Sequence, residues 1–195
     1  MKVIGINGSA RKDGNTSLLI GKAFEALNKN GIETELIQLS GKKIAPCRAC
    51  FTCGGKNKCS FANDDFYEIF EKMLSADGII LGSPVYAANI SAAMQALLER
   101  AAVVESMNNG LFKHKAGAAV AAVRRGGALN VVDAMTHFFM NKEMYIVGST
   151  YWNMVYGRIV GEVLEDSEGM ENMYNIGENM AFLLKKLTGS TGNDW

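Results

Sequence analysis

Short apolar runs alternate with helical periods along nearly the whole chain, and this alternation constrains the fold more than any other feature. Lys2–Asn7 is an apolar run that stops at Gly8-Ser9. Ile20, Ala23, Phe24 and Leu27 then recur at i, i+3, i+4, i+7, one face of a helix. Asn30-Gly31, a pair that tolerates left-handed backbone, ends that helix. Residues 34–39 read as a second strand, and Phe66, Ile69, Phe70, Met73 and Leu74 mark a second helix. Asp65 and Glu68 are spaced as a capping box at its start. A third strand is predicted at 78–81, and Ser91 is placed to cap a helix through Leu97 and Leu98. Ala116–Val123 reads as a fourth strand, rich in small residues and suited to burial on both faces. A helix over 130–141, a strand at 144–147 and a last helix through Ile176, Met180, Leu183, Leu184 and Leu187 complete the series. Strand–helix repeated five times requires a parallel sheet, because parallel neighbours need a crossover and a helix is the usual one. At 195 residues the chain is about one domain long, so 1–195 is expected to be a single α/β domain.

Two connections, 40–63 and 149–167, are too long for this pattern, and long structureless connections in a compact domain tend to be functional. A third candidate is the first strand–helix turn, Gly8-Ser9-Ala10-Arg11-Lys12-Asp13-Gly14-Asn15-Thr16-Ser17. A helix start there offers free N–H groups and partial positive charge to an anion. Ser9, Asn15, Thr16 and Ser17 add short polar side chains, Arg11 adds a charged donor, and Gly14 permits a tight turn. The pattern is neither a dinucleotide fingerprint nor an NTP loop, so a single terminal phosphate is the better guest. Helix capping alone would account for one or two of these residues, not for six with an Arg and a Gly among them.

All four cysteines fall in the 13-residue window from Cys47 to Cys59, spaced Cys-x2-Cys-x2-Cys-x5-Cys through Cys50 and Cys53. Four thiolates on one loop can wrap a compact cluster without help from elsewhere, and two successive x2 gaps match the iron–sulfur run of bacterial ferredoxins. Structural zinc sites more often pair two Cys-x2-Cys knuckles across a longer stretch. Reduced thiols or a redox disulfide are the other readings the spacing leaves open. The chain opens directly into a strand, with no apolar leader and no run long enough to span a bilayer, so a cytoplasmic location is expected. Reducing conditions there favour metal binding or redox work over structural disulfides.

Three loops carry a resemblance to a known family. Gly8-Ser9-x-Arg11-x-x-Gly14-Asn15-Thr16, Gly82-Ser83-Pro84-Val85-Tyr86 and Arg124-Arg125-Gly126-Gly127 resemble, in order, the flavin-binding loops of the flavodoxin-like NAD(P)H-dependent FMN reductases. The resemblance implies a flavodoxin-like, doubly wound, five-stranded parallel sheet of order 2-1-3-4-5, with FMN at the switch point between strands one and three. It further implies that Ser9, Arg11, Asn15, Thr16 and Ser17 hold the phosphate, and that Ser83, Pro84, Val85 and Tyr86 form the loop along the ring. Gly126 and Gly127 would allow close backbone approach. Arg124 or Arg125 would stabilise an anionic reduced flavin, unless the two are simply a solvated surface pair. Tyr86 has a core role as its alternative, although the Ser-Pro turn before it favours a loop tip. The cysteine loop is similar to that of the iron–sulfur flavoproteins, which implies that Cys47, Cys50, Cys53 and Cys59 ligate a [4Fe-4S] cluster.

The expected function is therefore an FMN-dependent oxidoreductase passing electrons between a flavin, a [4Fe-4S] cluster and external partners. Ferredoxin or NAD(P)H would be the donor, and a quinone, flavin or oxygen the acceptor, in a homodimer or homotetramer. An NAD(P)H-dependent FMN or quinone reductase without a cluster is one alternative, and a flavodoxin-type electron carrier another. Twenty Lys and Arg balance twenty Asp and Glu, which argues against a nucleic-acid partner and against the acidic surface of a flavodoxin shuttle. His114 and His137 stand far apart in the sequence with no acid partner, so a hydrolytic triad is not expected. The eleven methionines read as packing residues. Tyr151-Trp152-Asn153, in the second long loop, would either reach the flavin or form an aromatic plug or subunit contact.

Overall fold

A computed structural model describes residues 1–61 and 63–189; Ala62, inside the expected 40–63 loop, and residues 190–195, the end of the expected domain, lie outside the described residues. The strands are β1 (Lys2–Asn7), β2 (Glu33–Gln38), β3 (Gly78–Pro84), β4 (Ala116–Val123), β5 (Tyr145–Ile146) and β6 (Met154–Tyr156). The helices are α1 (Asn15–Lys29), α2 (Phe66–Ser75), α3 (Ala92–Ser106), α4 (Ala128–Asn141) and α5 (Ser167–Gly189), with a 3-10 turn at Glu162–Glu165. The sheet runs β2-β1-β3-β4-β5 with every pairing parallel, the expected 2-1-3-4-5 order.

Successive residues of the central strands feed opposite faces, as a period of two demands. Ile4, Ile6, Ile79 and Leu81 pack with Phe66 and Phe70 of α2, Leu97 and Ala101 of α3, and Val131 and Phe139 of α4. Val3 and Ile80 pack with Leu19, Ile20 and Phe24 of α1 and with Met173, Ile176 and Met180 of α5. The two layers make the sheet doubly wound. The all-buried β4, with alanine at five of its eight positions, lets helices approach from both sides.

The fifth sheet position differs from expectation. The strand expected at 144–147 pairs over only Tyr145 and Ile146, against Ala116 and Gly117. A sixth strand, β6, takes up the same edge further along, pairing Met154–Tyr156 with Ala121, Ala122 and Val123. Between them the Ser149 and Thr150 hydroxyls donate to the Asn172 carbonyl and side-chain oxygen, each at 2.7 Å, and draw the chain off the sheet toward α5. The loop expected over 149–167 therefore holds a strand and a 3-10 turn.

Two helix starts were legible to different degrees. Ser91 caps α3 as expected, its Oγ accepting the Met94 N–H at 3.2 Å. The capping box at Asp65 does not form: Asp65 accepts the Lys43 N–H at 2.7 Å and pairs with Lys42, which also draws Glu68. The Phe66 N–H goes to Asp64 instead. Among the described residues no helix is long and apolar enough to cross a membrane.

Gly177 sets the distance between α1 and α5: a Cβ there would lie 2.2 Å from the Ala23 carbonyl oxygen. Gly→Ala in a helix ordinarily stabilises by about 1 kcal/mol, but here backbone meets backbone and one helix must move. Gly177→Ala is expected to destabilise the protein by about 1–3 kcal/mol. Thermal unfolding checks this, and an unchanged or raised Tm would show that the helices can part freely.

Candidate functional site

The site begins where β1 and β3 end side by side. Asn7, fully buried, accepts the Ser9 N–H at 2.9 Å and donates to Gln38 Oε1 at 2.7 Å, which fixes the first loop to β2. Ser9 Oγ accepts the Arg11 N–H at 3.1 Å. The Gly8 N–H donates to the Gly82 carbonyl at 2.8 Å, and a Cβ at Gly8 would lie 3.1 Å from that oxygen. α1 then starts after Gly14, which has no side chain to cap it, and carries no acid in its first turn. Asn15 and Thr16, as its first two residues, have no carbonyl four positions back for their N–H groups. The Ser17 hydroxyl donates to the Gly14 carbonyl at 2.6 Å.

Asn15 is engaged at its side chain by a segment 144 residues away: Nδ2 donates to the Ile159 carbonyl at 2.9 Å, and Oδ1 accepts the Gly161 N–H at 2.8 Å. This two-bond clip places Gly157 and Arg158 against the first loop. The result is a recess of about 200 Å³ lined by Ser9, Arg11, Asn15 and Thr16, by Pro84, Val85 and Tyr86, and by Ala122, Arg124, Gly157 and Arg158. Three of the lining residues are arginines. The loop that carries Arg158 has no local sequence signal; only the Asn15 clip identifies it.

The loop after β3 is built from within. Ser83 is fully buried; its hydroxyl donates to the Pro84 carbonyl at 2.9 Å and accepts the Ser91 N–H at 3.0 Å, so it braces the loop rather than lining the recess. Tyr86 and Asn89 exchange two backbone hydrogen bonds of 2.9 Å around Ala87 and Ala88, both left-handed at φ 49° and 58°. Two positive φ values mark a tight hairpin turn that favours Gly or Asn, so alanine there carries strain. Tyr86 sits exposed on this turn and not in the core. Gly127, at φ 87°, caps α4 against the turn; a Cβ would lie 3.0 Å from Ala88 and 3.2 Å from Val85. Arg125 and Gly126 are exposed beside it. A second recess, of about 430 Å³, runs from Ser9 and Ala10 past Tyr86 and Ala92 to Ser40 and Gly41, where the cysteine loop begins.

All four cysteines line one small recess of about 20 Å³, closed by Phe51, Phe61, Arg100, Val103 and Val104. That is room for about one water molecule. Among the described residues no set of three or more His, Cys, Asp or Glu side chains stands at metal-binding geometry. Cys53 is buried, and burial pushes its thiol up, with the three neighbouring thiols adding to the rise. Cys50 is exposed, and its hydrogen bond with the Thr52 hydroxyl pulls its thiol down. Cys47 Sγ accepts the Ala49 N–H at 3.4 Å, and Cys59 Sγ accepts Arg100 Nε–H at 3.2 Å.

One face of α3 holds this loop. Glu99 accepts the Cys47 N–H at 2.9 Å, and Asn108, just past the helix, donates to the Cys53 carbonyl at 3.0 Å. Arg100, 1% exposed, donates to the carbonyls of Ala45 and Phe61 and pairs with Asp64 at 2.5 Å. Its signal lay in the sequence unread: an arginine within the apolar stripe of Leu97, Ala101 and Val104. Ala49, Phe51 and Asn57 hold left-handed backbone in this loop.

Burial would push the Asp64 carboxyl up, but the Arg100 guanidinium and the N–H groups of Ala45 and Phe66 hold it below its ordinary value. A depressed carboxyl contributes stability above its unfolded value and loses it as pH falls through the folded one. Asp64→Asn is therefore expected to cost on the order of 3 kcal/mol near neutral pH, and to flatten the acid limb of Tm against pH. An equally steep acid limb in the variant would place the acid-labile group elsewhere.

Residues 1–158, which span β1 through β6, match the family described as NADPH-dependent FMN reductase. An iron–sulfur flavoprotein of Methanocaldococcus jannaschii is 39% identical over 193 residues, covering 95% of this chain and 98% of the relative. One from Methanosarcina thermophila is 35% identical over 188 residues, covering 95% and 96%. Among solved structures, RosB with bound 8-demethyl-8-formylriboflavin-5′-phosphate is similar at a TM-score of 0.79 and 17% identity, covering 100% of this chain and 82% of that one. A flavodoxin from the domain Archaea is similar at a TM-score of 0.63 and 13% identity, covering 95% and 99%. The family match takes in every strand and each loop of the recess, so this chain belongs to the NADPH-dependent FMN reductases and is a flavin-dependent oxidoreductase.

Proposed function

We propose that the protein binds FMN in the recess after β1 and β3 and moves electrons between it, a [4Fe-4S] cluster on the cysteine loop and external partners. One observation carries the reading: the uncapped start of α1 and three arginines, Arg11, Arg124 and Arg158, line one recess together with Pro84, Val85 and Tyr86. A terminal phosphate fits the cationic end, and a flat ring fits the apolar end. When bound, FMN supplies both hydride and single-electron chemistry, and an iron–sulfur cluster supplies single-electron chemistry alone.

The chain's own residues bind, orient and tune. The N–H groups of Asn15 and Thr16, the hydroxyls of Ser9 and Thr16, and the cations Arg11 and Arg158 hold the phosphate, while Ser17, whose hydroxyl donates to the Gly14 carbonyl, holds the helix start instead. Asn15 holds Arg158 there through its clip to Ile159 and Gly161. Ser83 braces the turn that carries Val85 and Tyr86 along the ring. Gly127 lets the following loop press against that turn, and Arg124 and Arg125 supply positive charge at its side. Electron transfer between separate centres needs no side chain as acid or base.

The cysteine loop supports the cluster through its donor set: four thiols, with no imidazole or carboxylate lining the same recess, suit iron–sulfur chemistry. The recess is smaller than such a cluster, so binding requires the loop to open, and the exposed Cys50 is the thiol freest to move. The names of the two archaeal relatives support the same assignment. A reductase with reduced thiols and no cluster is the second reading, favoured by the absence of metal-binding geometry among the described residues. Ferredoxin or NAD(P)H as donor, a quinone, flavin or oxygen as acceptor, and a cytoplasmic homodimer or homotetramer complete the proposal. Exposed Tyr151, Trp152, Ile159, Val160 and Leu164 provide apolar surface for the subunit contact.

Anaerobic purification with iron, sulfide and flavin analysis tests this directly. Flavin with iron and sulfide is expected; flavin without iron would leave the cluster-free reductase, and failure to rebind added FMN would remove the phosphate site. Asn15→Ala, which frees the 157–161 segment, is expected to weaken FMN binding about tenfold or more. Quenching of flavin fluorescence measures it, and wild-type affinity would show that the clip does not serve the phosphate.

A further inference from the structure

We infer that Arg100 is a positioning residue for the cysteine-ligated centre: it aims Cys59 into the shared recess and raises the centre's reduction potential. The inference rests on the cluster reading above. Arg100 Nε–H donates to Cys59 Sγ at 3.2 Å, a contact spanning 41 residues of sequence. The rest of the fork is occupied so that this donor cannot turn away. One terminal nitrogen bonds Asp64 at 2.5 Å and the Ala45 carbonyl at 3.3 Å, and the other bonds the Phe61 carbonyl. The guanidinium also lies 4.2 Å from the Phe66 ring centroid and 5.1 Å from that of Phe61. Ala45 precedes the first cysteine and Phe61 and Asp64 follow the last, so one side chain closes both ends of the loop.

The chemistry follows from burial and direction. A hydrogen bond to a ligating sulfur withdraws charge from it and favours the reduced, more negative state of the centre. A buried cation acts through a medium of low effective dielectric and is felt more strongly than one in water. Asp64 offsets part of the charge but takes it from the terminal nitrogen, leaving Nε on the sulfur. Lysine cannot reproduce this, because a single ammonium lacks the planar fork that meets Cys59, Asp64 and two carbonyls at once. The residue sits nine positions after Ser91 on α3, about 13 Å along the helix from the turn beside the recess. The same rigid helix therefore places both loops.

The test uses the anaerobically isolated holoprotein, with wild type beside Arg100→Lys and Arg100→Gln. FMN content and circular dichroism report the fold, redox titration followed by electron paramagnetic resonance reports the potential, and a chelator reports the rate of iron loss. Both variants are expected to titrate at lower potential than wild type, Arg100→Gln the lower of the two, and to lose iron severalfold faster. A folded Arg100→Gln that keeps the wild-type potential overturns the inference. Where neither variant folds, wild-type Arg100 is read directly in an Arg48→Lys background labelled with 15N-arginine, which removes the other guanidinium close to the loop. Hyperfine coupling of the reduced centre to 15N is then expected, and its absence overturns the inference. Protein that binds FMN but no iron would overturn the cluster reading and this inference with it, whereas iron present with an unmoved potential overturns Arg100 alone.

Discussion

The hydrogen bond from the Gly8 N–H to the Gly82 carbonyl, 2.8 Å long, carries the pairing of β1 with β3 one residue past the end of β1 and ties the first loop to β3. Its origin is topological. In a parallel sheet of this order the chain leaves β1 and β3 toward opposite faces, and the crevice between their carboxyl ends is where ligands bind in open α/β sheets. Both positions are closely packed: a Cβ on Gly8 would lie 3.1 Å from the Gly82 carbonyl oxygen, and one on Gly82 would lie 2.8 Å from the end of the Ile20 side chain. With the two strand ends held this closely, the start of α1 and the start of α3 open onto two recesses that share Ser9 and Tyr86.

From that point outward the structure delegates order to a few long-range contacts. Ala87, Ala88, Ala49, Phe51 and Asn57 all hold left-handed backbone, and all lie on the turn after β3 or on the cysteine loop. Such strain survives only where surroundings over-determine it. The turn is braced by Ser83 and Ser91 beneath it and by Gly127 beside it. The cysteine loop has little core of its own beyond Cys53 and is held by Glu99, Arg100 and Asn108. α3 begins at one of these regions, and the anchors of the other lie on it or just past its end, so a single helix joins the two.

The fold was largely legible because its signals are local. The face Ile20, Ala23, Phe24 and Leu27 needs only helical periodicity to be seen, and the buried β4 only its run of small residues. Ser91 is a cap because its own hydroxyl reaches three residues forward. Where a distant partner competes, the local reading fails. Asp65 has the spacing of a capping box, yet Lys42 and the Lys43 N–H take its carboxylate. The strand expected at 144–147 is cut short because Asn172 of α5 offers acceptors to Ser149 and Thr150. Of the candidate site, the sequence showed the polar helix start suited to an anion, the turn after β3 and the clustering of the cysteines. It did not show that Asn15 reaches Ile159, or that Ser83 faces inward.

The amino-acid sequence by itself determined the order of the elements, the chemistry available in each loop and the concentration of every thiol in one segment. All of these depend on residues within a few positions of one another, where backbone preference and periodicity act. The tertiary structure alone decided which side chains meet across the chain: Arg158 brought to the first loop through Asn15, β6 laid beside the far end of β4, and Arg100 turned onto Cys59. Those contacts join residues tens to more than a hundred positions apart. Their free energy comes from burial and from satisfying polar groups inside a packed interior, and neither leaves a pattern that neighbouring letters can display.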